Sequence, residues 1–172
     1  MKTASLPQHY ATLNLVHHLR AKEQVLSCGV VQTGECEDFL ALGQALGEAV
    51  KRVDGARVAV LGSGGMSHTF WPLKAIRGHF GYDPKHVISA DARAMDERFL
   101  QSWRQGDHAS VVEAYPQYVS RFRPEGRFAH YLMALGAMGG PQCQARGEQL
   151  SDYENAVGTG QVHVLFEPGA ST

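Results

Sequence analysis

Two valine-rich runs flank a strongly amphipathic segment in the first third of the chain. Residues 24–31 read QVLSCGVV and residues 57–62 read RVAVLG, and each is a short apolar run typical of a buried strand. Between them, residues 35–53 carry apolar side chains at three- and four-residue steps, with acidic residues first and basic residues last, which favours a helix. A strand, a helix and a strand joined by short links form a right-handed parallel crossover. The pattern therefore predicts an α/β fold with a mostly parallel central sheet flanked by helices.

Further helical patterns fill the middle of the chain. Residues 90–106 place three large apolar side chains on one helical face, at Met95, Phe99 and Trp103. A similar pattern follows as far as Pro116, which predicts a second helix directly after the first.

The last part of the sequence predicts one more helix and one more strand. Residues 127–140 are apolar and end in glycines, which is typical of a buried helix with a glycine stop. Residues 158–168 alternate apolar and polar side chains and predict a strand in the same sheet. Because no repeat or linker interrupts the pattern, we expect one domain over residues 1–172.

Charge and cysteine content limit the class of protein. The formal net charge is −1, from 16 basic and 17 acidic residues, which argues against nucleic acid or an anionic membrane as the main partner. No apolar run is long enough to span a bilayer. The three cysteines, Cys28, Cys36 and Cys143, have neither a disulfide framework nor zinc-site spacing. A soluble cytoplasmic protein is the expectation.

The second predicted strand runs into a glycine-rich loop, GSGGMSH, at residues 62–68. A dinucleotide fingerprint is disfavoured because Ser67 stands at its third glycine position, and a phosphate loop is disfavoured because no lysine follows. A nucleophile elbow is disfavoured because Ser63 has glycines directly on both sides. The residues leave two main interpretations open: a glycine turn with a locally satisfied histidine, or a loop that presents His68 at the sheet edge where α/β folds place their sites.

Several stretches of the chain resemble one enzyme family. VAVLGSGGMSH resembles the Ser-Gly-Gly-x-Ser-His loop of the class III extradiol ring-cleavage dioxygenases, the family of the protocatechuate 4,5-dioxygenase beta subunit. DERFLQSWRQGDHASVVEAYPQY and EGRFAHYLMALGAMGG resemble the helices that follow this loop in the family. GTGQVHVLFEP is similar to the carboxyl end of the 3,4-dihydroxyphenylacetate 2,3-dioxygenase branch, and LPQHYATLNLVHHL resembles a pocket-lining segment. The resemblance covers nearly the whole chain.

The resemblance implies a specific chemistry. Enzymes of this family hold a non-heme ferrous ion with two histidines and one carboxylate, and open a catechol ring with O2 to give a muconic semialdehyde. His68 matches the family's acid–base histidine, which moves protons to and from the substrate. Tyr10, Gly65 and Ser67 match positions that bind the substrate.

The iron site expected from the resemblance is incomplete. The family's two iron histidines lie in an amino-terminal region that this sequence does not match, so the chain resembles the carboxyl-terminal part of the catalytic domain. The family's carboxylate ligand lies at the start of the helix matched here, where His130 stands and Glu125 precedes it. His130 and Glu125 are therefore the candidate metal ligands, and we expect Fe(II) to bind weakly or not at all to this chain alone.

Three interpretations of this partial match stay open. The chain is part of a longer or split dioxygenase that acts on a small-molecule catechol and O2, or it is a catalytically inactive structural or regulatory subunit on the same fold. Alternatively, it binds metal in a new way through His68, His130 and other side chains. An incomplete sheet exposes an edge and an apolar face. We therefore expect it to pair with a second copy, a complementary amino-terminal segment or a homologous subunit.

Overall fold

Helices dominate the computed structural model, which describes residues 10–55, 57–79 and 89–167 of the 172-residue chain. The α-helices within these ranges are α1 Tyr10–Leu19, α2 Cys36–Lys51, α3 Ala90–Gln105, α4 His108–Phe122 and α5 Ala129–Ala137. Short 3-10 turns lie at Ile76–His79 and Glu125–Phe128. Four three-residue strands follow α5: β1 Gly147–Gln149, β2 Glu154–Ala156, β3 Thr159–Gln161 and β4 Val164–Phe166. The mixture of helices and strands and the helices predicted at 35–53, 90–106 and 127–140 are confirmed.

The strands of the described residues form two small antiparallel sheets. β1 pairs with β4, and β2 pairs with β3. Val157 and Gly158 join β2 to β3, and their φ angles of 53° and 83° are those that a tight two-residue hairpin requires. The single strand predicted over 158–168 is therefore two strands, because β3 pairs with β2 whereas β4 pairs with β1. Residue 168 itself lies outside the described residues.

The predicted strands at 24–31 and 57–62 are not formed. Both segments run without regular secondary structure. Within the described residues, no backbone hydrogen bond joins either segment to a neighbouring strand. A strand exists only as part of a hydrogen-bonded ladder, so valine-rich composition alone cannot produce one. The predicted parallel crossover is therefore not formed, and the described residues show two small antiparallel sheets in place of the predicted parallel central sheet.

The core is an assembly of aromatic rings between α3, α4 and α5. Met95, Phe99 and Trp103 are buried on one face of α3, as predicted. Phe128, from the turn before α5, packs with its ring centroid 5.9 Å from that of Phe99 and 5.1 Å from that of Tyr118. Burying each such side chain contributes about 1.5–3 kcal/mol to folding. These rings fix the three helices relative to one another.

Helix α2 packs directly against the backbone of α5. A Cβ added at Gly43 would overlap the carbonyl of Met133, and a Cβ added at Gly136 would overlap the carbonyl of Leu40. Small residues allow two helices to approach with their main chains in contact. The pairing of α2 and α5 therefore depends on the two glycines.

Helix α4 continues past the proline at which the sequence pattern was expected to end. Pro116 lies inside the helix, which runs on to Phe122. The proline removes one main-chain hydrogen bond. The helix persists because Tyr115, Tyr118 and Phe122, on both sides of the proline, are buried in the core.

One face of the molecule is apolar and exposed. A broad groove runs along α1, α2 and α5 and is lined by residues 58–62; we call it the apolar groove. Val58, Val60 and Leu61 on this face are each about half exposed, and Leu19 of α1 is more exposed still. A large contiguous apolar surface is typical of an interaction site. Over the described ranges, no helix has the length and apolar character that crossing a membrane requires.

His108, the first residue of α4, is fully buried and held at both ring nitrogens. Nδ1 lies 2.8 Å from the Tyr131 hydroxyl, and Nε2 lies 2.8 Å from the carbonyl oxygen of Ala145. Burial lowers the pKa of His108 below the ordinary histidine value, and the contact with the carbonyl opposes this shift.

The first prediction follows from the lowered pKa of His108. As the pH falls below about 6.5, the unfolded chain binds the proton before the folded chain does, so stability present above that pH is progressively lost. We expect the free energy of unfolding, measured by urea denaturation, to fall more steeply between pH 7 and pH 5 in the wild type than in His108→Gln. His17→Gln, at an exposed position of α1, is the control variant. Equal slopes in wild type and His108→Gln contradict the prediction.

Candidate functional site

The loop at residues 62–69, called here the histidine loop, is held by main-chain hydrogen bonds from two elements. The Met66 N–H donates to the carbonyl of Gly160 in β3 at 2.8 Å, and the His68 N–H donates to the carbonyl of Phe122 at the end of α4 at 2.9 Å. These bonds fix the loop against the β2–β3 hairpin and α4. The sequence pattern placed the loop at the edge of a parallel sheet, whereas the structure places it at this junction.

The turn at residues 123–128 lies beside the histidine loop, and three of its residues have an unfavourable backbone conformation. Arg123, Arg127 and Phe128 have φ angles of 47°, 56° and 62°. This left-handed conformation costs roughly 1–2 kcal/mol for each residue that has a side chain. The Glu125 N–H donates to the Met66 carbonyl at 3.2 Å, so the turn and the loop are joined directly. Strain of this kind tends to cluster at functional sites.

Glu125 is the centre of the candidate site. One of its carboxylate oxygens accepts a hydrogen bond from the Tyr10 hydroxyl at 3.1 Å, and the other accepts one from the Gly65 N–H at 2.7 Å. Gly65 approaches so closely that an added Cβ would overlap the side chain of Thr159 and lie 3.2 Å from the Glu125 carboxylate. The close approach therefore requires glycine. We call this group of contacts the Glu125 centre.

Two imidazoles lie within electrostatic range of the Glu125 centre. Burial lowers the pKa of His68, and the negative charge of Glu125 opposes this shift. Burial also lowers the pKa of His130 to about 4, again against the charge of Glu125. The His130 ring lies under Gly64, where an added Cβ would overlap it. Both histidines are therefore neutral near pH 7, and the His68 Nδ1 atom is buried and has no hydrogen-bond partner among the described residues.

Ser67 turns into the core rather than toward Glu125. Its side chain is fully buried, and its hydroxyl donates to a carboxylate oxygen of Asp96 at 2.6 Å. The hydroxyls of Tyr118 and Tyr153 also donate to this carboxylate, each at 2.7 Å. We call Asp96 and its three hydroxyl donors the Asp96 cluster.

Sequence reasoning missed Asp96, although a signal was present. Ala92, Asp96, Phe99 and Trp103 follow one another at four-, three- and four-residue steps, so the acid lies on the apolar stripe of α3. A carboxylate on a buried helical face needs partners that donate hydrogen bonds. The tyrosines that supply them lie far along the chain, and their approach could not be read from local patterns.

Five of the six site residues suggested by the sequence come together. Tyr10, Gly65, His68 and His130 surround Glu125, although they come from α1, the histidine loop and the segment that opens α5. Ser67 is placed apart from them, in the Asp96 cluster.

The described residues do not by themselves fit a ferrous site of two histidines and one carboxylate. Such a site needs three donors around one point. In residues 10–55, 57–79 and 89–167, no group of three or more histidine, cysteine, aspartate or glutamate side chains could hold a metal ion. Both carboxylate oxygens of Glu125 also accept hydrogen bonds already, from Tyr10 and Gly65.

Comparison with known proteins identifies a family and a relative to which the chain is similar. The family model of the catalytic LigB subunit of aromatic ring-opening dioxygenase matches residues 13–167. The chain is also 33% identical over 102 residues to 3,4-dihydroxyphenylacetate 2,3-dioxygenase of Escherichia coli. This alignment covers 59% of the chain and 35% of the relative, so the match spans about a third of the relative's length.

The second prediction tests whether Tyr10 and Glu125 meet. The charge of Glu125, its hydrogen bond with the phenol and partial burial together raise the pKa of Tyr10. Glu125→Gln removes the charge, so we expect the pKa of Tyr10 to fall toward the ordinary tyrosine value. NMR titration of Cζ-labelled tyrosine measures it, with Tyr10→Phe to assign the signal. Glu48→Gln, at an exposed position of α2, is the control and should leave the Tyr10 titration unchanged. An unchanged titration in Glu125→Gln contradicts the contact.

Proposed function

The chain belongs to the family of the catalytic LigB subunit of aromatic ring-opening dioxygenase, and we propose from this membership that it takes part in the extradiol opening of a catechol ring by O2. The product of this reaction is a muconic semialdehyde. The observation that carries the proposal is the Glu125 centre, in which a carboxylate, a phenol and a main-chain amide meet beside two imidazoles. Dihydroxyphenylacetate is the first substrate to test, because the Escherichia coli relative is named for it.

His68 is the proposed acid–base group. Because burial lowers its pKa, the imidazole is neutral near pH 7 and can accept a proton from a catechol hydroxyl. The protonated ring can then return that proton to a ring oxygen at a later step. The nearby charge of Glu125 stabilises the protonated ring and so favours proton uptake, whereas burial disfavours the charged ring and so favours return of the proton.

Tyr10 and Gly65 are proposed to line the substrate space. The Tyr10 side chain is 65% exposed, so its hydroxyl is accessible to a ligand as well as to Glu125. Gly65 is buried against Thr159 and Glu125, so its proposed part in the substrate space is the main-chain N–H that holds the Glu125 carboxylate at 2.7 Å. Ser67, proposed from the resemblance as a third substrate contact, is fully buried, and its hydroxyl, N–H and carbonyl all contact Asp96 or Gly160, so its proposed part is to support the histidine loop beneath the substrate space.

Glu125 and His130 remain the proposed metal ligands on this chain. In this proposal, the other donors of a ferrous site come from protein outside the described residues, in the same polypeptide or in a partner. The apolar groove supports the idea of a partner, because it exposes valine and leucine side chains over a broad area. A second copy, a complementary segment and a homologous subunit are all chemically suited to this surface.

The experiment is anaerobic reconstitution of the full chain, in whatever oligomer size-exclusion chromatography identifies. After addition of ferrous ion, the protein is mixed with 3,4-dihydroxyphenylacetate or protocatechuate in oxygenated buffer. A yellow ring-cleavage product with matching oxygen uptake supports the proposal. If no product forms and equilibrium dialysis detects no binding of the catechol, the proposal is contradicted and a non-catalytic subunit is favoured.

The third prediction concerns His68. We expect His68→Ala to lower turnover by about 10²–10⁴-fold, the usual contribution of a general acid–base group. The free energy of unfolding should change by less than about 1 kcal/mol, because the ring is only partly buried and the loop is held through main-chain atoms. Turnover and thermal melting are measured on the same preparation. His163→Ala, at an exposed position, is the control and should change neither.

The opposite result is equally clear. A large loss of melting temperature with full residual activity would show that His68 is a structural histidine and has no part in proton transfer.

A further inference from the structure

The Asp96 cluster anchors the histidine loop from inside the core. The Ser67 hydroxyl donates to Asp96 Oδ2 at 2.6 Å, and the Tyr153 hydroxyl donates to the same oxygen at 2.7 Å. The Tyr118 hydroxyl donates to Oδ1 at 2.7 Å. The Ser67 N–H also lies 3.3 Å from Oδ2. Hydrogen bonds to a carboxylate are stronger than those between neutral groups, so the four contacts make a firm attachment.

The carboxylate has a fixed position that does not depend on the loop. Asp96 is fully buried on α3, next to Met95 and one turn from Phe99, both of which are buried in the aromatic core. Tyr118 belongs to α4 and has no exposed surface. The cluster therefore ties the loop to two helices whose relative position is set by ring packing. Burial raises the pKa of Asp96, and the hydroxyl donors oppose the rise, as expected for a carboxylate held in a core.

Anchoring Ser67 determines where His68 points. His68 directly follows a bend at Met66 and Ser67 and forms an isolated antiparallel bridge with Thr159. This bridge and the hydrogen bond from the His68 N–H to the Phe122 carbonyl hold the main chain of His68 in one place. With the Ser67 side chain fully buried at the Asp96 cluster, the His68 side chain projects from this fixed main chain and is only partly buried.

We propose that Asp96 is the positioning residue of the histidine loop: by holding the Ser67 hydroxyl in the core, it fixes the direction in which His68 projects. The importance of this for catalysis rests on the proposed function of His68. The holding itself is a property of the folded chain and is measurable without turnover.

A matched pair of tyrosine variants separates positioning from general stability. Tyr118→Phe removes one buried hydroxyl that donates to Asp96, and Tyr131→Phe removes one buried hydroxyl that contacts His108 at 2.8 Å. Both side chains are nearly inaccessible, at 0% and 5% exposure, so the two variants should lose similar stability. Only the first loses a contact of the Asp96 cluster. Asp96→Asn is the direct variant, and the tyrosine pair decides the question if that variant does not fold.

The first readout is hydrogen exchange of the full-length protein, followed by mass spectrometry of peptides that cover residues 65–69. We expect exchange in this segment to be roughly tenfold faster or more in Tyr118→Phe than in Tyr131→Phe at a similar melting temperature. Asp96→Asn should show the same local effect. Exchange that is no faster in Tyr118→Phe than in Tyr131→Phe overturns the proposal.

The second readout is the split between kcat and KM in the reconstituted enzyme. Misplacement of His68 should lower kcat by up to about 10²-fold in Asp96→Asn with little change in KM, while Tyr131→Phe keeps both constants. Unchanged kcat in Asp96→Asn together with fast local exchange overturns the link to catalysis. The two proposals can also fail separately. If the variants of the Asp96 cluster lose hydrogen-exchange protection at residues 65–69 but the reconstituted wild type never turns over catechol, the positioning role is supported and the proposed function is contradicted.

Discussion

The burial of Phe128 is the interaction on which the rest of the structure depends. Its ring packs against rings from three helices, with centroid distances of 5.0 Å to Tyr131, 5.1 Å to Tyr118 and 5.9 Å to Phe99. It does so from a left-handed backbone conformation that costs free energy. Because the stabilisation from burying the ring exceeds that cost, the turn before α5 is held in one shape. That shape places Glu125 beside the histidine loop, so core packing and site geometry have the same origin.

The helices were predictable because their signals are local. The stripe of Met95, Phe99 and Trp103 encodes both the helical period and the face that is buried, and the structure agrees on both. The strands were not predictable in the same way, because a strand needs a neighbour that sequence patterns do not identify. The segments 24–31 and 57–62 have strand-like composition but no ladder among the described residues. Pro116 led to the opposite error. The sequence pattern was expected to end at this proline, but the helix continues because side chains on both sides of it are buried in the core.

The candidate site was predictable to the extent that it lies in short motifs. The loop with His68 and Gly65 could be recognised from its residues, and Tyr10, Glu125 and His130 came from the family resemblance rather than from spacing. Their convergence around one carboxylate is a tertiary fact that neither source contained. Ser67 illustrates the limit most clearly. Its place in the motif suggested contact with substrate, whereas its hydroxyl is bound by Asp96, whose partners come from distant parts of the chain.

The strained turn at residues 123–128 also bears on how this protein could be stabilised by design. Of its three left-handed residues with side chains, Phe128 cannot be exchanged, because its ring completes the core. Arg127 donates to Glu35 at 2.8 Å and so links the turn to the start of α2. Arg123 is exposed and ends α4, a position where glycine is the preferred residue. A thermostable variant would therefore be sought first by placing glycine at 123, because relief there leaves the conformation that presents Glu125 intact.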